Sequence, residues 1–389
     1  MKQAIQETVI VAYGRSAIGK AFKGSLKSVH PVDLGGMILA GVLHKLPALN
    51  WADIDDIVVG CARPEAQQGM NIGRMAALRA GVPNSVSAQA INRFCSSGLQ
   101  AVASAANAIM AGQAQIMVAG GIESMSWFPA PLDPAHGSPW MLSHCPSAFM
   151  DMGVTAENVA QRYGVSRLEQ DEFGLLSQRR AAAAQAAGIL AEDIIPITVP
   201  GPDGQETSFS IDEGVRPNTT LEALSGLRTV FKENGTVTAG TSSQISDAAA
   251  FVVLMSRERA DKLGLQPLAR FAAYATGGVD PAYMGMGPVA AAPKALALAG
   301  LTMGDMDVIE LNEAFAAQAI PCIQALDMDP ERVNPNGGAI ALGHPTGATG
   351  AILLGKAVTQ LRRTKGRFGL ITMCIGGGMG AAAIVERMA

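Results

Sequence analysis

Four residues in unusual local settings carry the chemistry that this chain could perform. Cys95 lies in Asn92-Arg93-Phe94-Cys95-Ser96-Ser97-Gly98-Leu99-Gln100, and Asn312 opens Asn312-Glu313-Ala314-Phe315. His344 lies in Gly343-His344-Pro345, and Cys374 precedes Ile375-Gly376-Gly377-Gly378. A free thiol has a pKa of about 8.5, so little of it is nucleophilic thiolate at neutral pH unless something stabilises the anion. Cys95 stands directly before a helix-like run, Ser97 to Ala111, whose unsatisfied N–H groups and dipole favour negative charge. That makes it a candidate nucleophile, although a single Cys is more often a small core residue.

His344 sits in a glycine-crowded stretch, Gly337 to Gly350, which reads as a turn allowing close approach of backbone to ligand. A phosphate cradle or an ordinary tight turn would read similarly, but neither Walker A spacing nor G-x-G-x-x-G is present. Cys374 ends a strand-like run, Phe368 to Met373, and three glycines follow it. Such a strand end exposes N–H groups that could hold an oxyanion, beside a thiol that could move protons. A bulge before a last strand, Ala381 to Glu386, would leave the same trace. Zinc is a poor alternative, because there is no C-x-x-C or close His pair and the two thiols are 279 residues apart. No metal is expected.

The elements that must position these residues follow a βαβα rhythm. Strand-like runs at Thr8 to Ala12, Ile57 to Val59 and Ile116 to Ala119 alternate with helix-like runs beginning at Pro31, Ile72 and Ser97. That rhythm predicts a parallel sheet with right-handed crossovers. It resumes after about residue 266, and three landmarks recur at nearly one spacing. Asp55-Asp56-Ile57 pairs with Asp307-Val308-Ile309 at an offset of 252, Cys95 with His344 at 249, and Gly120 with Cys374 at 254. Two duplicated halves follow, whose strand ends converge on one site. Between them a stretch of different composition, with prolines from Trp127 to Pro146, predicts an inserted ligand-holding subdomain. Within it Gly164 ends one helix and Ser166-Arg167-Leu168-Glu169 caps the next. The predicted boundaries are 1–118 with 241–265 for the first half, 119–240 for the insertion and 266–389 for the second half.

At 389 residues the chain is long enough for two or three packed units. Hydrophobic residues at 49%, charged residues at 16% and 44 glycines suit an α/β protein with tight turns rather than disorder. A net charge of −4 provides no field to gather nucleic acid or acidic lipid. Five cysteines without paired spacing argue against a disulfide framework and for a reducing compartment. Residues 1–15 do not read as a signal peptide, and Glu386-Arg387-Met388-Ala389 is not a peroxisomal signal, so a cytoplasmic protein is expected. The uncharged stretch from Val333 to Gly355 is long enough to span a bilayer, but Pro335, His344, Pro345 and its glycines exclude that reading.

The combination resembles the thiolases, acyl-CoA-dependent enzymes, across essentially the whole chain. Ala119-Gly120-Gly121-Ile122-Glu123-Ser124-Met125 and Gly235-Thr236-Val237-Thr238-Ala239-Gly240 complete six motifs in family order. The resemblance implies an α/β thiolase fold: five αβαβα layers from two duplicated βαβα halves plus an inserted loop domain. It implies that Cys95 is the nucleophile, that His344 raises its thiolate character, that Asn312 holds a water, and that Cys374 is the acid and base. Backbone N–H groups of Cys95 and Gly376 would form an oxyanion hole. Coenzyme A would be a substrate, with Arg216 near its nucleotide, Ser243 near pantetheine, and Met152, Phe231, Ala239 and Phe315 lining an apolar tunnel.

Departures from the family pattern are Ser16-Ala17 after Arg15, Thr241 in place of Asn, Ala248 in place of Gly, and Ile352 in place of Arg. None removes a catalytic group. Asp151 before Met152, and Ser242-Ser243-Gln244, are more similar to degradative than to biosynthetic members. The resemblance therefore implies a 3-ketoacyl-CoA thiolase (acetyl-CoA C-acyltransferase) of the β-oxidation type. The alternatives are a biosynthetic acetoacetyl-CoA thiolase and a silent acyl-CoA-binding or lipid-binding subunit. A homodimer or homotetramer is implied, with a short Trp127 to Asp151 segment favouring the dimer, and a multifunctional β-oxidation subunit is a candidate partner.

Overall fold

The computed structural model describes residues 5–127, 137–201 and 205–388. Residues 128–136, part of the proline-rich stretch after Trp127, lie outside them. Twelve strands follow in chain order. The first five are β1 (Thr8–Arg15), β2 (Gly19–Lys20), β3 (Asp56–Gly60), β4 (Ser87–Ile91) and β5 (Ile116–Ser124). A small antiparallel pair, β6 (Ile197–Pro200) and β7 (Glu206–Phe209), belongs to the insertion. The rest are β8 (Ser246–Ser256), β9 (Ala269–Gly278), β10 (Val308–Leu311), β11 (Phe368–Ile375) and β12 (Met379–Arg387).

The main sheet runs β10-β11-β12-β9-β1-β8-β5-β3-β4, with β2 beside β8. Read outward from the β1–β9 junction, the order β1-β8-β5-β3 on one side matches β9-β12-β11-β10 on the other. The directions match too. β3 is parallel to β5 as β10 is to β11, whereas β8 and β12 run antiparallel to both their neighbours. Two equivalent acids brace the copies in one way. Asp55 Oδ2 accepts from the amides of Gln115 and Ile116 at 2.7 and 2.9 Å, and Asp307 Oδ2 from those of Arg367 and Phe368 at 2.6 and 3.0 Å. The duplication is therefore structural.

The expected parallel sheet is mixed. β11 and β12 are joined by a tight loop at Gly376–Gly378, and a connection that short permits only antiparallel pairing. β5 also runs on to Ser124, beyond the strand-like run ending at Ala119.

Alternation along the strands builds the layers. In β8, Ala248, Ala250, Val252 and Leu254 face one core, while Ala249, Phe251, Val253 and Met255 face another. In β12, Ala381, Ala383 and Val385 join the first of these cores, and Ala382 and Ile384 a third. The shared core contains helices Ser97–Met110 and Thr346–Thr364, so these two lie between the sheets of the halves. Helices Pro31–Leu43 and Ile72–Arg79 cover one outer face, and Gly287–Ala299 and Ala316–Ala325 the other. Five layers result.

The glycines after His344 serve this packing rather than a long turn. Helix Thr346–Thr364 begins within the stretch expected to be irregular. A Cβ on Gly350 would lie 2.4 Å from the Leu99 amide nitrogen, and one on Gly98 would lie 2.7 Å from the Gly347 carbonyl oxygen. Glycine costs roughly 1 kcal/mol inside a helix, and here it permits close approach of the central helices.

The insertion is tied down by buried polar contacts. Arg15 Nη1 and Nη2 bond Asp212 Oδ1 and Oδ2 at 2.7 and 2.8 Å with both side chains buried. Its helices Met152–Tyr163 and Arg167–Ala186 are separated as the sequence predicts. Gly164 adopts a left-handed φ of 69°, and Ser166 and Glu169 close a reciprocal capping box.

Candidate active site

Cys95 lies in a turn of 3-10 helix, Phe94–Ser96, directly before helix Ser97–Met110. Phe94 has a φ of 43°, an uncommon value for a side chain without Asn or Asp character. Side chains on either side brace the turn. Asn92 Oδ1 accepts from the Phe94 amide at 2.7 Å, while Ser97 Oγ accepts from Arg93 N at 2.9 Å and donates to Phe94 O at 2.7 Å. The Cys95 thiol takes N–H groups from Gly376 and from its own backbone. Burial nevertheless dominates and pushes the thiol up to about 11.

Cys374 is buried near the end of β11, in a cluster with Phe315, Met284 and Ala314, against which Met152 and Phe231 pack. Burial raises its thiol well above the usual range, and the charge of Cys95 raises it further. The two sulfurs, far apart in sequence and on opposite halves, therefore lie within electrostatic reach of each other. Gly377 and Gly378 have φ values of 77° and 82°, which close the loop over this cluster. A Cβ on Gly376 would touch Met152 Sδ at 3.6 Å, and one on Gly377 would lie 3.9 Å from Phe94.

Asn312 follows β10, with its amide donating to Thr372 O of the neighbouring β11 at 3.0 Å. Its Nδ2 lies 3.3 Å from His344 Nε2, and its buried Oδ1 has no partner among the described residues. The other imidazole nitrogen, Nδ1, is 2.7 Å from Thr349 Oγ1, which also donates to Pro345 O at 2.9 Å. With its one hydrogen spent on Pro345, Thr349 accepts the Nδ1–H, so Nε2 carries the lone pair. Burial lowers His344 to about 4, so the ring is neutral at physiological pH. A neutral imidazole whose Nε2 carries the lone pair, faced here by Asn312 Nδ2, is equipped to receive a proton.

The segment that directly follows the insertion meets this centre at Ser243 and Gln244. Ser243 N donates to Ala314 O at 2.9 Å, and the His344 amide donates to Gln244 O at 2.9 Å. Phe231 and Phe315 meet edge to face at 5.9 Å. Arg216 and Ala239 line a neighbouring cavity of about 390 Å³ that Gln244 also lines.

Sequence comparison places this arrangement. The family described as the thiolase N-terminal domain matches residues 8–258, and the thiolase C-terminal domain matches residues 265–387. The chain belongs to the thiolase family. Over 98% of its length it is 49% identical to a 3-ketoacyl-CoA thiolase of Bacillus subtilis and 47% identical to a beta-ketothiolase of Cupriavidus necator, both covered completely. The crystal structure of an acetyl-CoA acetyltransferase from Bacillus anthracis is similar, with a TM-score of 0.92 at 39% identity. That match covers 99% of this chain and 100% of that one.

This thiolase is thus a thiolase-type acyltransferase. Its candidate residues fall into three connected groups: Cys95 with Gly376, Cys374, Met152, Phe231 and Phe315; Asn312 with His344; and Ser243, Arg216 and Ala239 on the insertion side. Thr349, which sets the His344 tautomer, was not singled out by sequence. A Thr five residues after a His in a helical run has no motif of its own. Glu123 was quoted only as part of a motif, yet it is fully buried and hydrogen-bonded to both halves.

Proposed function

We propose that this thiolase is a degradative 3-ketoacyl-CoA thiolase that works through an acyl-enzyme on Cys95. The observation that carries the reading is that two thiols from opposite halves, Cys95 against the central core and Cys374 in the apolar cluster with Phe315, lie within electrostatic reach of each other, with a Gly376 N–H on the Cys95 sulfur. The Cys95 sulfur attacks the 3-keto carbon and its proton passes to His344 Nε2. Burial pushes the thiol up to about 11 and the imidazole down to about 4, so that transfer is uphill ahead of attack. The resting centre is therefore thiol and neutral ring, and proton transfer accompanies attack.

Cleavage of the C2–C3 bond sends its electron pair to C2, and charge develops on the acetyl-CoA thioester oxygen. The N–H groups of Cys95 and Gly376 would receive that charge, a contribution typically worth about 3 kcal/mol per donor. Cys374 then gives its proton to C2 and releases acetyl-CoA. Its thiolate next takes the proton of incoming CoA, whose sulfur displaces the acyl group from Cys95, and the Cys95 thiolate released recovers its proton from His344. Retention of both thiols argues against a silent binding subunit, for which the second would be idle.

CoA would lie along Arg216, Ser243, Ala239, Met152, Phe231 and Phe315. The proposed division keeps 1–118 with 241–265 as one half, 119–240 as the CoA-holding insertion and 266–389 as the other half. A cytoplasmic homodimer, with or without a β-oxidation partner subunit, completes the reading. Among the described residues no helix is long and apolar enough to cross a membrane. The similarity to an acetyl-CoA acetyltransferase supports a second reading, condensation of two acetyl-CoA molecules by the same groups. Thiolysis assayed from C4 to C16 3-ketoacyl-CoA separates the two. Cleavage at six carbons and beyond is expected, and activity confined to acetoacetyl-CoA would replace the degradative assignment with the biosynthetic one.

A further inference from the structure

Glu123 lies near the end of β5, is fully buried, and has no part in the chemistry above. Its carboxylate gathers donors from both halves. Oε2 accepts from Ala62 N at 2.8 Å, Thr346 Oγ1 at 2.9 Å and Gly347 N at 2.7 Å. Oε1 accepts from Gln68 Nε2 at 3.0 Å and lies 3.7 Å from the Cys61 sulfur. Cys61 and Ala62 continue directly from β3, whereas Thr346 and Gly347 open helix Thr346–Thr364 two residues after His344. One carboxylate thus joins a strand end of the first half to the helix start that carries His344. The free N–H groups and dipole at that helix start favour an anion.

Burial raises the Glu123 carboxyl, and the donors from Ala62, Thr346, Gly347 and Gln68 act against that by favouring the carboxylate, an arrangement that suits an isosteric amide poorly. Gln68 Oε1 accepts from Ser124 N at 2.6 Å, and Gln68 Nε2 also donates to Arg63 O at 3.0 Å, so this side chain cannot turn round. An amide at position 123 that kept its oxygen on the three Oε2 donors would direct its NH2 against the NH2 of Gln68. A Cβ on Gly347 would lie 2.7 Å from Oε2, which leaves no room for the helix to retreat around a side chain.

Cys95 and His344 come from opposite halves, so their mutual placement depends on what fixes one half to the other. We propose that Glu123 is a positioning residue that sets His344 and its helix against the turn carrying Cys95. The proposal rests on the catalytic roles given above to those two residues. The Glu123 charge also reaches Cys95 and contributes to raising its thiol, after burial.

The test compares Glu123→Gln, alone and combined with Gln68→Glu, with the unaltered enzyme. The single variant is expected to lower kcat for thiolysis about tenfold or more while KM for CoA stays within about twofold. The midpoint of Cys95 alkylation by iodoacetamide is expected to fall in pH, because a nearby negative charge has gone. The double variant returns the charge and lets the amide at 123 donate to the carboxylate at 68, so part of kcat is recovered. A purely structural role would lower the melting temperature but leave kcat per active site and the alkylation midpoint unchanged, which would overturn the proposal.

If Glu123→Gln does not fold, Thr346→Val and Thr346→Ser read the same contact. The first loses one donor and is expected to slow turnover about fivefold, and the second keeps the hydroxyl and recovers it. Equal kcat for both would also overturn the proposal. A Cys95→Ser enzyme that still formed an acyl-enzyme would instead remove the catalytic reading, leaving the Glu123 contacts as they are.

Discussion

The Gly376 amide donates to the thiol of Cys95, joining the loop after β11 in the second half to the turn before the first half's central helix. That contact is made by backbone, and the position offers a clean separation of roles. A Cβ at Gly376 would only touch Met152 Sδ at 3.6 Å, an ordinary contact. Gly376→Ala should therefore cost within about threefold in kcat, whereas Gly376→Pro, which removes the N–H, should cost roughly 10² to 10³. Steady-state thiolysis kinetics check both, and equal losses would remove the oxyanion role.

Cys374 is assigned the proton traffic at C2. The Cys374→Ala enzyme should still take an acyl group from an activated thioester but should exchange the acetyl α-protons of acetyl-CoA with D2O at least about 10²-fold more slowly. Deuterium incorporation followed by NMR measures this directly. Exchange at the unaltered rate would assign the step to another group.

The repeat was legible in sequence because its landmarks are backbone-dictated. Asp55 and Asp307 each clamp the start of a neighbouring strand, and such paired constraints keep their spacing. Cys95 before a helix and the Ser166 capping box were legible for the same reason, since local N–H groups demand local partners. What escaped was long-range. The helix beginning at Thr346 looked like a glycine turn because the reason for Gly347 and Gly350 lies on the Ser97–Met110 helix and around Glu123. Antiparallel β8 and β12 likewise depend on pairing across the sheet, and a one-dimensional rhythm carries no strand direction.

His344 provides the pH signature. Burial lowers its folded pKa to about 4, below the usual value of about 6.5, so the unfolded chain takes up a proton first as pH falls. The stability it contributes is complete above about 6.5 and is lost progressively down to about 4, by roughly 3 kcal/mol in all. Carbon-13 NMR of labelled histidine should find the His344 ring, identified by the signal lost in His344→Asn, still neutral at pH 5.5. A His344 midpoint near 6.5 would contradict the burial argument.

Arg216 lines the cavity beside Gln244, whose lining includes neither thiol, so its loss should fall on binding. Arg216→Ala is expected to raise KM for CoA about tenfold with kcat little altered, the cost of one charged contact to phosphate. The same variant should show less discrimination against dephospho-CoA. A fall in kcat with unchanged KM would move Arg216 out of the CoA site.

The most direct measurement is to quench the enzyme with a 3-ketoacyl-CoA in the absence of free CoA and map the acylated peptide by mass spectrometry. The account predicts a thioester on Cys95 alone, discharged when CoA is added, and no adduct in Cys95→Ser. Acyl label on Cys374, or a normal burst from the Cys95→Ser enzyme, would contradict it.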